Sequence, residues 1–270
     1  MRGRYVGGDR IRRPSGILRP AIASLALLLS PAAAFCASAA APAPDGWSGK
    51  GQAGGVTSQG NTQSTTFNAV LDLALVAGPW KHALHLDGLY GRNAGITSSE
   101  RWGSRWQSDY TFRPAVYAFG ILRYERDLFS GFDYQASAAA GVGYRILDTD
   151  RVKLSVQAGP GFRREQPQTL SKDAAGAVIA RSLGTPMNSA ILSAGIDYSQ
   201  VLTATTTLSD KLLTESGGGN TLVTNALALA VKVSTHLALS VGYNLQNNSS
   251  PPPGLKKLDS NETVNLVYSF

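Results

Sequence analysis

Three histidines, His82, His85 and His236, are the only imidazole bases in the chain, and Cys36 is its only thiol. His85 and Asp87 stand two residues apart, so in an extended segment they share one face, together with Lys81. A His–carboxylate pair is how a hydrolase orients its general base. The same residues also make up an ordinary water-facing strand surface. None of the histidines is followed at the second position by a serine, and catalysis is not expected. Asp127 with Asp133, and Asp148 with Asp150, offer carboxylates to a cation, but Asp and Gly in such segments are what turns use. No metal site and no cofactor is expected. Gly141 and Gly143 lie inside an alternating segment, where glycine serves close strand packing or curvature rather than phosphate binding.

More telling than any pair is where the charges sit. Lys81, His85, Asp87, Arg101, Arg105, Asp109, Arg123, Glu125, Arg145, Lys153 and Arg163 lie on the polar faces of alternating segments, with Asp72, Asp197 and Lys211. The segment from Val116 to Arg126 is ambiguous, because Tyr117, Phe119 and Ile121 share parity with Arg123 and Glu125. The charges decide its orientation, since an arginine turned toward lipid costs several kcal/mol.

The elements that must hold these residues are strands. Period-two alternation runs over almost the whole chain: Val152, Leu154, Val156 and Ala158 against Lys153, Ser155, Gln157 and Gly159, and Leu237, Leu239, Val241 and Tyr243 against Ala238, Ser240, Gly242 and Asn244. The pattern predicts twelve strands, near 46–58, 64–76, 80–92, 101–112, 116–126, 134–147, 151–164, 189–200, 203–213, 222–233, 237–246 and 260–270. Every second connection is tight: Ala77-Gly78-Pro79, Arg113-Pro114-Ala115, Asp148-Thr149-Asp150, Val201-Leu202 and Ser234-Thr235-His236. The others are mostly longer: Asn93 to Glu100, Asp127 to Asp133, Glu165 to Asn188, Thr214 to Asn220, and Asn247 to Asp259, with Ser58 to Gln63 the short exception. An even strand count with short turns at one end and longer loops at the other predicts an all-β protein. Its expected form is a transmembrane antiparallel β-barrel of about 12 strands, with short periplasmic turns and longer extracellular loops.

Composition agrees. The 270 residues are 43% hydrophobic and 16% charged, too apolar for a disordered polyelectrolyte. The net charge of +7 invites nucleic acid, but Arg2, Arg4, Arg10, Arg12, Arg13 and Arg19 stand against Asp9 alone in the first 40 residues. The rest is nearly balanced, and no nucleic-acid partner is expected. The basic start, the apolar Ala21 to Leu29 and the small residues around Ala37-Ser38-Ala39 read as a signal peptide over 1–39, cleaved near Ala39. Residues 40–270 would then form the barrel. Phe35 before Cys36 spoils a lipidation site, and no segment is long and apolar enough for a membrane helix.

The C-terminal residues Val264, Leu266, Tyr268 and Phe270 share one face. Such an aromatic terminus fits the signal by which barrel assembly machinery selects its clients, and Tyr268 and Phe270 are the candidate assembly residues. Trp80, Tyr90, Trp102, Trp106, Tyr110, Phe112, Tyr134 and Tyr144 suit aromatic girdles at the two interfaces of a bilayer.

Trp47-Ser48-Gly49-Lys50-Gly51, Gly60-Asn61-Thr62, Tyr124-Glu125-Arg126-Asp127, Gly131-Phe132-Asp133 and Gly141-Val142-Gly143-Tyr144-Arg145 follow in that order. In these the chain from Trp47 to Phe270 resembles the salt-induced outer membrane protein family, YdiY-like and of unknown function. The resemblance implies a bacterial outer-membrane barrel in contact with outer-membrane lipid, and it supplies no catalytic residue. Three function classes follow: a structural or stress-responsive barrel with a mostly filled, mixed-charge lumen, a small pore or transport channel for small solutes, and a lipid-modifying enzyme. The first is favoured and an enzyme is not expected.

Overall fold

In the computed structural model, residues 45–58, 63–252 and 254–270 are described. The signal-peptide reading falls on residues outside that set. Twelve long strands form the wall: β1 (Gly46–Ser58), β2 (Ser64–Ala77), β3 (Trp80–Asn93), β4 (Ile96–Arg113), β5 (Val116–Asp127), β6 (Phe132–Asp148), β7 (Val152–Lys172), β9 (Met187–Val201), β10 (Thr206–Gly217), β11 (Asn220–Lys232), β12 (Leu237–Asn248) and β13 (Leu258–Ser269). A short β8 (Val178–Leu183) pairs with the far end of β7, beyond the wall.

Neighbouring strands are antiparallel throughout, and two ladders close the ring. β6 pairs with β7, and β1 pairs with β13 over Lys50–Ala53 against Leu266–Ser269. Gly49 and Phe270 extend that seam by exchanging two backbone hydrogen bonds, at 2.9 and 3.0 Å. Every wall strand is laddered on both sides, which closes the ring, with the β1–β13 seam confined to Gly49–Ala53 against Leu266–Phe270.

The pleat sorts side chains into two layers. Leu122, Leu192, Leu239 and Val264 are about half exposed and lie outside. Tyr117, Phe119, Ile121, Glu125, Arg163, Ser193 and Glu215 are buried inside. An exterior of exposed Leu, Val, Ile and aromatic residues around a polar interior is the inverse of a soluble barrel, and it is what a bilayer requires. Among the described residues there is no helix.

The twelve expected strands are all present, but several loops are shorter than the sequence suggests. The segment Asn93 to Glu100 contains only a two-residue turn, because β4 begins at Ile96. Ala94 and Gly95 sit at φ 48° and 80°, the left-handed pair that matches the twist of a hairpin. Gly218 and Gly219, at φ 62° and 76°, do the same for Thr214 to Asn220. Glu165 to Asn188 is not an irregular loop but the β7–β8 hairpin. Conversely, Val201-Leu202 is no tight turn. Residues 202–205 intervene, held by the Thr203 hydroxyl, which accepts from the backbone N–H of Thr206 at 3.0 Å.

Candidate functional site

The interior is where this fold concentrates chemistry. One row of Cα partners crosses the wall from Lys50 through Asp72, His85, Arg105 and Arg123 to Ser137 and Arg163. All seven side chains therefore point inward, and a second row carries Asp87, Gly103 and Glu125. Gly103 is small for a reason: a Cβ there would lie 2.6 Å from an Asp87 carboxylate oxygen.

Two connected groups result. On the β2–β4 wall, His85 Nδ1 lies 2.7 Å from Asp72 Oδ1 and its Nε2 lies 3.6 Å from Asp87, which in turn lies 3.7 Å from Arg101. Their side chains stay roughly a third exposed. Across the lumen, Arg123 lies between Glu125 (2.5 Å) and Glu215 of β10 (3.3 Å), and Arg101 reaches Glu125 at 3.7 Å. Ser137 donates to Glu215 at 2.6 Å, and Gln246 of β12 donates to Glu125 at 3.3 Å. In the closed ring β5 and β12 are six strands apart in either direction. The Gln246–Glu125 bond therefore spans the full width of the barrel.

Arg163 closes the same half. Only 1% exposed, it pairs with Glu165 at 3.3 Å and donates to the carbonyl oxygens of Glu215, Gly217 and Asn220. It thereby pins the β10–β11 turn from inside. Toward the short-turn end an apolar cluster meets polar side chains. Tyr117, Phe119, Ile121 and Ala139 form one buried cluster, beside Gln157 and Gln107. A Cβ at Gly143 would collide with the Tyr117 ring, so that glycine makes room for the ring.

The remaining positions singled out from the sequence are peripheral to this network. Lys81 and Asp109 are cross-strand partners near the short-turn end. Arg145 packs over the Tyr117 ring at 4.9 Å and bonds Thr111 and the Pro114 carbonyl. Lys153 pairs with Asp148 at 3.6 Å at the mouth. Arg105 faces the lumen with no carboxylate within 4 Å among the described residues. Tyr268 and Phe270 lie outside, and the Phe270 ring covers Gly49, where a Cβ would meet it at 2.4 Å.

Spacing along the chain could not reveal one further pair. His82 Nδ1 lies 2.7 Å from Ser108 Oγ on the exterior, stacked on Trp80. The two residues are cross-strand partners, 26 apart in sequence. No carboxylate contacts His82 among the described residues, and the strand amides around Ser108 are committed to their ladders, so the pair lacks an orienting acid and an oxyanion hole. No cluster able to hold a metal occurs among the described residues.

Comparison with solved structures gives barrels. The NanC porin aligns at TM-score 0.45 and 9% identity, over 83% of this chain and 98% of that one. An outer membrane channel from Pseudomonas putida F1 aligns at 0.46 and 9%, over 84% and 97%. The translocator domain of autotransporter NalP from Neisseria meningitidis aligns at 0.44 and 14%, over 83% and 87%. No curated protein matches. Residues 51–270 match the model of a family described as a protein of unknown function, DUF481, and the chain belongs to that family.

Proposed function

We propose that the protein is an integral barrel of the bacterial outer membrane whose lumen is closed to solutes by its own side chains. The observation that carries this reading is the bridge from Glu125 to Gln246 across the barrel, locked to Arg123, Glu215 and Arg163. The reading places short turns in the periplasm and the β7–β8 hairpin outside the cell. Its role is structural or stress-related, in line with the likeness to the salt-induced, YdiY-like proteins. Delivery runs through the barrel assembly machinery, which reads Tyr268 and Phe270.

A second reading, a narrow path for water and small ions, rests on the part-exposed Asp72, His85, Asp87 and Arg101 along the β2–β4 wall. Liposome swelling separates the two. Vesicles holding the wild-type barrel should swell no faster in small sugars than empty vesicles. The double variant Arg123→Ala, Glu215→Ala, which leaves Glu125 with Arg101 as its remaining cation, should swell several-fold faster. Sugar entry through the wild type would favour the channel reading.

A further inference from the structure

The exterior is not uniform around the ring. The β3–β6 wall carries Trp80, Trp102, Trp106, Tyr110, Tyr124 and Tyr144, as a wall in contact with lipid interfaces should. The β9–β12 exterior carries no Trp and no Phe. Its outward positions are largely aliphatic, including Leu192, Leu212, Leu227, Leu229 and Val241, with Tyr198 and Tyr243 among them.

Within that surface sits a carboxylate. Asp210 has the parity of Leu208 and Leu212 and opposes Leu227, which is 40% exposed, so it points outward. Apolar residues flank it toward both ends of β10. Asn225, equally outward, donates to Asp210 Oδ1 at 2.6 Å and to the Lys211 carbonyl at 3.4 Å. Tyr198 is the Cα partner of Asp210 on β9, and Tyr243 is the partner of Leu227 on β12. Among the described residues, Asp210 Oδ2, Asn225 Oδ1 and the Tyr243 hydroxyl make no hydrogen bond. Ionisable side chains at membrane depth are costly, and they persist where they meet protein rather than hydrocarbon.

We propose that the β9–β12 exterior is an interface with a second copy of this chain, centred on Asp210, Asn225 and Tyr243. The surface is self-complementary. It offers two acceptors, on β10 and β11, and one hydroxyl donor, on β12. A two-fold axis along the membrane normal, passing over Leu227, sets Leu227 against Leu227 and turns the Tyr243 side chain of each copy toward β10 of the other. An isologous contact requires such a self-matching surface, and polar bonds joining elements within lipid add attraction that aliphatic contact does not supply. This inference rests on the membrane reading of the exterior and is independent of whether the lumen is closed.

Cross-linking in native membranes tests it. In a Cys36→Ser background, Leu227→Cys should give a disulfide-linked dimer on mild oxidation, whereas Leu122→Cys, on the opposite exterior, should stay monomeric. Adding Asp210→Leu and Asn225→Leu should reduce the Leu227→Cys dimer about ten-fold while the barrel stays in the membrane fraction. Native mass spectrometry of the detergent-extracted wild type should show two chains, a readout that survives if the leucine variants fail to fold. A monomer with no Leu227→Cys cross-link, a cross-link to a different protein, or a dimer indifferent to the leucine substitutions would overturn the proposal. Absence of the wild type from the membrane fraction would overturn the membrane reading itself.

Discussion

At the residue scale, glycine and charge do opposite work in one interior. Gly141 lies against β7, where a Cβ would stand 2.2 Å from the Ala158 carbonyl oxygen and 2.6 Å from the Gly159 Cα. Those are backbone atoms that cannot rotate away. Gly141→Ala should therefore destabilise the barrel by roughly 2–3 kcal/mol, the cost of overpacking. Gly88→Ala, which meets nothing within 4 Å, should change stability by less than about 0.5 kcal/mol. Denaturant midpoints of refolded protein in detergent check both, and equal shifts would contradict the packing argument. The alternation made the lumen charges legible in the sequence, including Arg123 and Glu125 on the ambiguous segment. It could not say which carboxylate meets which cation. Arg123–Glu215 joins residues 92 apart on strands that are not neighbours, and only the closed ring brings them together.

At the element scale, the strands were legible because a two-sided wall imposes strict alternation, and their ends were less so. Polar residues continue the ladder past the apolar band, which is why β4 starts at Ile96 and β7 runs to Lys172. Composition alone marks such stretches as loops. The exterior polar residues were the opposite problem. Asp210 and Asn225 break the apolar face of otherwise regular strands, and the His82–Ser108 pair depends on register, which one sequence does not display. The seam between β1 and β13 has its own test. Phe270 contributes two backbone bonds to Gly49 and a ring that is 61% exposed, so its loss should cost the folded barrel no more than about 1–2 kcal/mol. Deleting Phe270 should nevertheless lower the amount delivered to the outer membrane in cells, while the shortened chain still refolds in detergent. Equal accumulation of both chains would remove the assembly role. Failure of the shortened chain to refold would make the residue structural.

At the scale of the whole molecule, β1 begins and β13 ends at the short-turn end of the ring, since the twelve wall strands alternate in direction. With that end in the periplasm, a cysteine at Ala175 in the β7–β8 hairpin should react with a membrane-impermeant maleimide on intact cells, in a Cys36→Ser background. A cysteine at Thr149 should react only after the cells are opened. The reverse pattern would invert the barrel in the membrane.

A twelve-strand ring is wide enough to conduct unless side chains fill it, so conductance decides whether the lumen is closed. Single-channel recording in a planar bilayer measures this directly. The wild-type barrel should give no resolved openings in moderate salt, and the Arg123→Ala, Glu215→Ala variant carrying Gln246→Ala should give discrete steps. Large, stable openings from the wild type, unchanged by the three substitutions, would contradict it.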